Sequence, residues 1–239
     1  MIQHHPDDST LLQYVTGALP EALNVVLATH LTYCAVCPQS VAQLEMIGGI
    51  ILEEIEPQQM SNLPVQASLS DWQSPIVNHN LPAPLNRTPL GSYWWPFGVG
   101  LRWRRLRVAG SAWGGLIWGK PGAKLPRHRH VGLELTCVLE GSFTDSAGEY
   151  FAGDISDPEE GDHSDPPITI TGSQPCLCVL ASEGMHLRGV LGLVQRTMGW
   201  MNGPSTGSIL CGLIAISATR LFPKNEDGTS DWITKLGIT

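Results

Sequence analysis

The 239 residues contain no apolar run long enough to cross a bilayer. The longest uncharged apolar segment, Ile209 to Ala218, has ten residues, where a span needs about 20. Positive charge is scarce as well: 14 Lys and Arg face 22 Asp and Glu, a formal net charge of -8. A grip on the phosphate backbone works by releasing counterions to clustered cations, so direct nucleic-acid binding is disfavoured, whereas an acidic surface suits a basic protein partner. The one dense basic run, Arg102, Arg104, Arg105 and Arg107 around Trp103 and Leu106, alternates as the solvated face of a strand does. The opening Met1-Ile2-Gln3-His4-His5-Pro6 lacks the basic start and apolar stretch of a secretory signal, so a cytoplasmic location is expected. In that reducing compartment six cysteines make no disulfide framework, and metal binding or redox sensing is the better use for them.

What is present is enough apolar material, 42% of residues at a mean hydropathy of +0.01, for one or two ordinary cores. From Asp8 to about Glu56 the pattern is helical. Asp7, Asp8 and Ser9 offer capping oxygens, a second run starts behind Pro20, and a third from about Gln39 to Ile55 carries Val41, Leu44, Ile47, Ile50 and Ile51 near one stripe. Residues 57–88 are rich in proline and short polar residues, a linker with a possible short helix from Ala67 to Trp72. From Trp94 the texture is all-β, with strands expected at Leu101 to Val108, Ala112 to Trp118, Leu133 to Leu139, Ile168 to Ile170 and Cys176 to Leu180. The organisation read from the chain is therefore a helical domain over residues 1–56, a linker over 57–88, a β domain over 89–197, and a tail over 198–239 to which no role is assigned.

Two constellations carry metal chemistry. His30-x3-Cys34-x2-Cys37 places an imidazole and two thiols at helical spacing, so that one zinc ion, about 2.0 Å from nitrogen and 2.3 Å from sulfur, can reach all three. Pro38 is expected to end that helix and turn Cys37 inward. The fourth ligand comes from upstream, His5 or its neighbour His4. A closed set of two histidines and two cysteines is a structural site, and three short helices need such a staple. The rival reading makes Cys34 and Cys37 buried small residues or a redox dithiol.

The second constellation is Gly122-x5-His128-x-His130-x3-Glu134-x6-Gly141. Histidines two apart on a strand face the same side, and a carboxylate an even step further converges on the same cation. Gly153-Asp154, Pro158, Gly161 and His163 follow, with His163 as fourth ligand. Three histidines and one glutamate hold zinc, iron, manganese or nickel, and spacing does not choose among them. Cys176 and Cys178 share one face of a strand, too far apart for an easy disulfide, as core residues or separately oxidisable thiols. Cys137 and Cys211 read as core, and His79 and His186 as linker or surface residues.

These spacings carry a resemblance. The first set is similar to the zinc-binding anti-sigma domain, Ala28-Thr29-His30-Leu31 and Gly48-Gly49 before Glu53-Glu54 resembling its ChrR branch; the second fits the first cupin motif. With Gly132-Leu133-Glu134-Leu135-Thr136, Gly153-Asp154-Ile155 and Cys176-x-Cys178, the resemblance runs over roughly residues 1 to 196. It implies an α+β protein: a small zinc-stapled helical bundle followed by a cupin barrel, the double-stranded β-helix or jelly roll. It implies a metal site of His5, His30, Cys34 and Cys37 holding zinc, and a cupin site of His128, His130, Glu134 and His163 holding zinc or another divalent ion. The function implied is an anti-sigma factor that sequesters an ECF-type sigma factor and releases it on an oxidative signal such as singlet oxygen or peroxide, with no catalysis. The alternative is a cupin dioxygenase or lyase whose helical module serves for docking.

Overall fold

The computed structural model describes residues 2–56, 81–126, 128–158 and 167–187. The possible helix near residues 67–72, His79, His163, Cys211 and the tail over 198–239 lie outside these. Of His186 only the backbone is described.

Three helices open the chain. Asp7 caps α1 (Asp8–Val15), its carboxylate accepting from the Thr10 N–H at 2.6 Å and so satisfying a donor that the helix start leaves open. Behind Pro20 runs α2 (Glu21–Tyr33), and α3 (Cys37–Glu53) follows at a 120° bend. Here the structure departs from the sequence reading. Pro38 ends no helix; it lies in the first turn of α3, where its missing N–H costs nothing. The break falls earlier, at Cys34, which caps α2 in an extended conformation. A short α4 (Ala83–Arg87), inside the stretch read as linker, packs on α2 and buries Leu85. Among the described residues no single helix is long and apolar enough to cross a membrane.

The β part is antiparallel. A six-stranded sheet runs in the order β1 (Trp95–Pro96), β2 (Leu101–Arg105), β3 (Trp113–Gly119), β10 (Cys176–Ser182), β5 (Glu134–Glu140) and β8 (Ile155–Ser156). A three-stranded sheet of β7 (Glu149–Phe151), β6 (Ser142–Thr144) and β9 (Thr169–Thr171) packs on its inner face, and β4 (His128–His130) pairs with β11 (Met185–Leu187). The inner core joins Trp103, Trp113, Ile117, Val138, Phe143, Tyr150 and Ile170, so the two sheets enclose a filled barrel of the cupin kind. Arg102, Arg105 and Arg107 are exposed, and the Arg102 guanidinium lies 5.6 Å over the Trp118 ring, as expected of a solvated strand face.

The large sheet is covered on its other side too. Leu116, Leu135, Cys137, Leu139, Leu177, Val179 and Ala181 point outward and share one cluster with Leu23, Val26 and Leu27 of α2 and with Leu81 and Leu85. That double coverage explains why β3, β5 and β10 are buried almost throughout instead of alternating. The helical module and the barrel therefore share a core.

Candidate metal centres

At the first centre the break after α2 decides the geometry. Because Cys34 is extended and α3 starts at Cys37, the two thiols fold back toward His30, and His5 approaches from the segment ahead of α1. His5 Nδ1 lies 3.4 Å from Cys34 Sγ and 3.3 Å from Cys37 Sγ; His30 Nε2 lies 3.4 Å from Cys37 Sγ. A nitrogen and a sulfur on one tetrahedral zinc are about 3.5 Å apart, from bond lengths of about 2.0 and 2.3 Å. The four side chains thus stand close to the edges of such a tetrahedron. His4, the other upstream candidate, goes elsewhere: its ring stacks on Tyr150 at 4.1 Å and its Nε2 meets the Glu149 carbonyl at 3.1 Å.

The surroundings suit a cation. The Gly153 carbonyl can only accept, so His30 Nδ1 carries the proton it donates there at 2.7 Å, and Nε2 turns its lone pair toward the thiols. The backbone N–H groups of Val36 and Cys37 both donate to Cys34 Sγ at 3.3 Å. Burial, with Cys34 beside it, pushes the Cys37 thiol up to about 12, so at neutral pH its thiolate needs a positive ion next to it. Burial also holds His30 below its usual value, against the pull of Gly153, and keeps it neutral as a ligand must be.

The second centre lies in the barrel mouth. His128 and His130 occupy alternate positions of β4 and both are buried, their rings stacked at 4.8 Å. Glu134 is reached differently from the sequence reading. It opens the next strand, β5, beyond a turn in which Gly132 adopts φ +72°, and the even step along one strand plays no part. Its Oε1 lies 3.7 Å from His128 Nε2 and 3.8 Å from His130 Nδ1. Ligands about 2.1 Å from one tetrahedral ion stand about 3.4 Å apart, so a few tenths of an ångström of closing would seat a cation. Glu134 Oε2 is buried with no hydrogen-bond partner among the described residues, which suits a carboxylate placed for an ion. His128 Nδ1 donates to the Pro126 carbonyl at 2.8 Å and so aims Nε2 at the carboxylate. Burial alone would lower the His128 pKa, but Glu134 and the Pro126 carbonyl together outweigh it and raise the value above the ordinary one. His163 lies outside the described residues.

Cys176 and Cys178 share a face as expected, with their Sγ atoms turned toward each other at 3.4 Å. The register against β5 shifts between Leu177 and Cys178, with the extra residue, Leu139, on β5, while β10 stays in regular register with β3. The thiols' mutual hydrogen bond and burial push the Cys178 thiol well above its ordinary value, and both are core side chains.

The ChrR Cupin-like domain family matches residues 89–181. The chain is 33% identical over 198 residues to the anti-sigma-E factor ChrR of Cereibacter sphaeroides, covering 76% of this chain and 90% of the relative. It belongs to the ChrR family of anti-sigma factors. A crystal structure of Rhodobacter sphaeroides SigE in complex with the anti-sigma ChrR superposes with a TM-score of 0.63 at 34% identity, over 76% of this chain and 100% of that one. The ChrR-type architecture, helices with a His/Cys cluster followed by a cupin, is thus what this sequence builds. What sequence reasoning missed is the backbone support of the ligands. The Gly153 and Pro126 carbonyls are invisible as residue types, and Gly153 is 123 positions from His30.

Proposed function

We propose that this chain is an anti-sigma factor acting in the cytoplasm, that its helical domain (1–56) sequesters an ECF-type sigma factor, and that its cupin domain (89–197) receives an oxidative signal, of the singlet oxygen or peroxide kind, that frees it. Zinc at His5, His30, Cys34 and Cys37 supplies a fixed tetrahedral junction between the segment ahead of α1, the end of α2 and the start of α3. The second centre, with His128, His130 and Glu134 and with His163 as fourth ligand, takes zinc or another divalent ion. The stretch over 57–88 connects the two, the tail over 198–239 is left without a role, and the chain is a regulator with no turnover of its own.

The observation that carries this reading is coverage of 90% of an anti-sigma factor's length, spanning helical module and cupin together. A docking face supports it. The last three turns of α3 leave Met46, Ile47, Ile50, Ile51 and Leu52 between 54% and 69% exposed. An apolar stripe of that size on an acidic module suits a protein partner with an apolar groove and a basic surround.

The test is co-expression of the full chain with an ECF-type sigma factor from the same genome, followed by purification and metal analysis. A complex containing zinc is expected, and it should be lost in His30→Ala and in Cys34→Ala. A complex of undiminished affinity after zinc stripping and both substitutions would refute the zinc staple. Oxygen consumption by the iron-loaded chain with a small organic substrate would favour the dioxygenase instead.

A further inference from the structure

Besides the shared core, the helical module meets the cupin through hydrogen bonds at one turn between β7 and β8. Asp154, between β7 and β8, is 1% exposed, and its carboxylate is spent on backbone donors. Oδ1 accepts from the N–H of Gln3 at 2.7 Å and of His4 at 3.1 Å, and Oδ2 accepts from the N–H of Phe151 at 2.9 Å. The Ile155 N–H donates to the His4 carbonyl at 3.3 Å, so the backbone of residues 3 and 4 is held against this turn immediately ahead of His5. One residue before Asp154, the Gly153 carbonyl takes the Nδ1 proton of His30. Two of the four ligands of the first centre are therefore set by consecutive residues of the other domain.

The turn has been shaped for this approach. Gly153 adopts φ +93°, and a Cβ there would come within 2.8 Å of Ile2 Cδ1 and of Tyr33 Cβ. It is also anchored to the barrel, because the Gly153 N–H donates to the Val138 carbonyl at 2.8 Å and the Val138 N–H to the Asp154 carbonyl at 3.0 Å. Val138 belongs to β5, the strand that Glu134 opens.

We infer that the Gly153-Asp154 turn is the outer shell of the N-terminal metal centre, with Asp154 the positioning residue through which the cupin governs how firmly that centre keeps its ion. The inference rests on the reading that His5, His30, Cys34 and Cys37 hold zinc. A ligand whose hydrogen-bond partner or backbone anchor is lost must be ordered anew each time the ion binds. A displacement of this turn loosens His5 and His30 together, while the thiols keep their own backbone support.

The experiment uses the zinc-loaded full chain and its Asp154→Asn, Asp154→Ala and Glu21→Ala variants. Glu21 is the control: its carboxylate accepts the Ala109 N–H at 2.7 Å, a link between module and cupin that reaches no ligand. Each protein is treated with iodoacetamide in the presence of a zinc chelator, and alkylation of each cysteine is timed by peptide mass spectrometry. Cys34 and Cys37 are expected to react about 10- to 100-fold faster in Asp154→Ala, the usual cost of losing outer-shell support, and to a smaller extent in Asp154→Asn. Cys137, Cys176 and Cys178 stay protected in both, and Glu21→Ala behaves as the parent. Unchanged rates at Cys34 and Cys37 in Asp154→Ala overturn the inference. Equal acceleration at all five thiols does too, since Asp154 would then serve folding as a whole. Should Cys34 and Cys37 of the parent react equally with and without zinc, the metal reading falls, and this one with it.

Discussion

The exposed end of α3 gives the most direct access to the proposed grip. Ile47 and Ile51 are one helical turn apart and so share a face, and they are 54% and 57% exposed. Burying a whole isoleucine side chain is worth about 1.5–3 kcal/mol, and for these two a little over half of that is still to be gained from a partner. Alanine keeps only the Cβ, so each truncation removes about 1 kcal/mol of binding, and the pair about 2 kcal/mol, an increase in Kd of about 30-fold. The free chain should hardly notice, because exposed positions change stability by about 0.5 kcal/mol or less. The assay is a titration of labelled sigma factor with the Ile47→Ala/Ile51→Ala chain by fluorescence anisotropy, paired with thermal unfolding of the chain alone. A Kd within threefold of the parent refutes the placement of the grip. A fall in Tm of several degrees refutes the reasoning differently, since it would assign these side chains to the fold.

Two further substitutions separate the centres from the scaffold. Glu134→Gln removes the anionic ligand of the barrel mouth, and bound metal should fall from about two ions per chain to about one while Cys34 and Cys37 stay protected from alkylation; plasma mass spectrometry checks it, and two retained ions would count against the second centre. Gly153→Ala puts a Cβ at φ +93° against Ile2 and Tyr33, a conflict of about 1–3 kcal/mol; calorimetry should show a Tm lower by about 2–12 °C, and an unchanged Tm would mean that the module does not press on this turn.

The parts of the molecule legible in the sequence are those fixed by short spacing. His30, Cys34 and Cys37 stand within one break between helices, and His128 and His130 on one short strand, so chemistry and local geometry coincide. Legibility ends where long-range contacts decide. His4 and His5 are equivalent in the sequence. Asp154, 150 positions away, pins the backbone of residues 3 and 4 so that the His4 ring lies on Tyr150 and the His5 ring on the thiols. α4 is not legible because five residues among prolines show no periodicity, and Leu85 is buried by a long-range cluster that includes α2. The close approach of Cys176 and Cys178 depends on how their side chains turn toward each other, which alternation along a strand does not specify.

A sensor must make its signal act unequally on two states of the molecule. Two independent domains on a proline-rich tether could not do this through the structure, since neither would register the other's condition. Here the outer face of the barrel sheet and the inner face of α2 belong to a single cluster, from Leu23 and Val26 to Leu135 and Val179. A shift of β5 or β10 relative to the helices exposes apolar surface on both sides at once and carries a free-energy cost that either domain feels. At the Gly153-Asp154 turn that shared boundary also reaches metal ligands. The physical requirement for coupling is thus met by packing between grip and barrel, and its direction is set by which arrangement of this boundary the sigma factor holds more tightly.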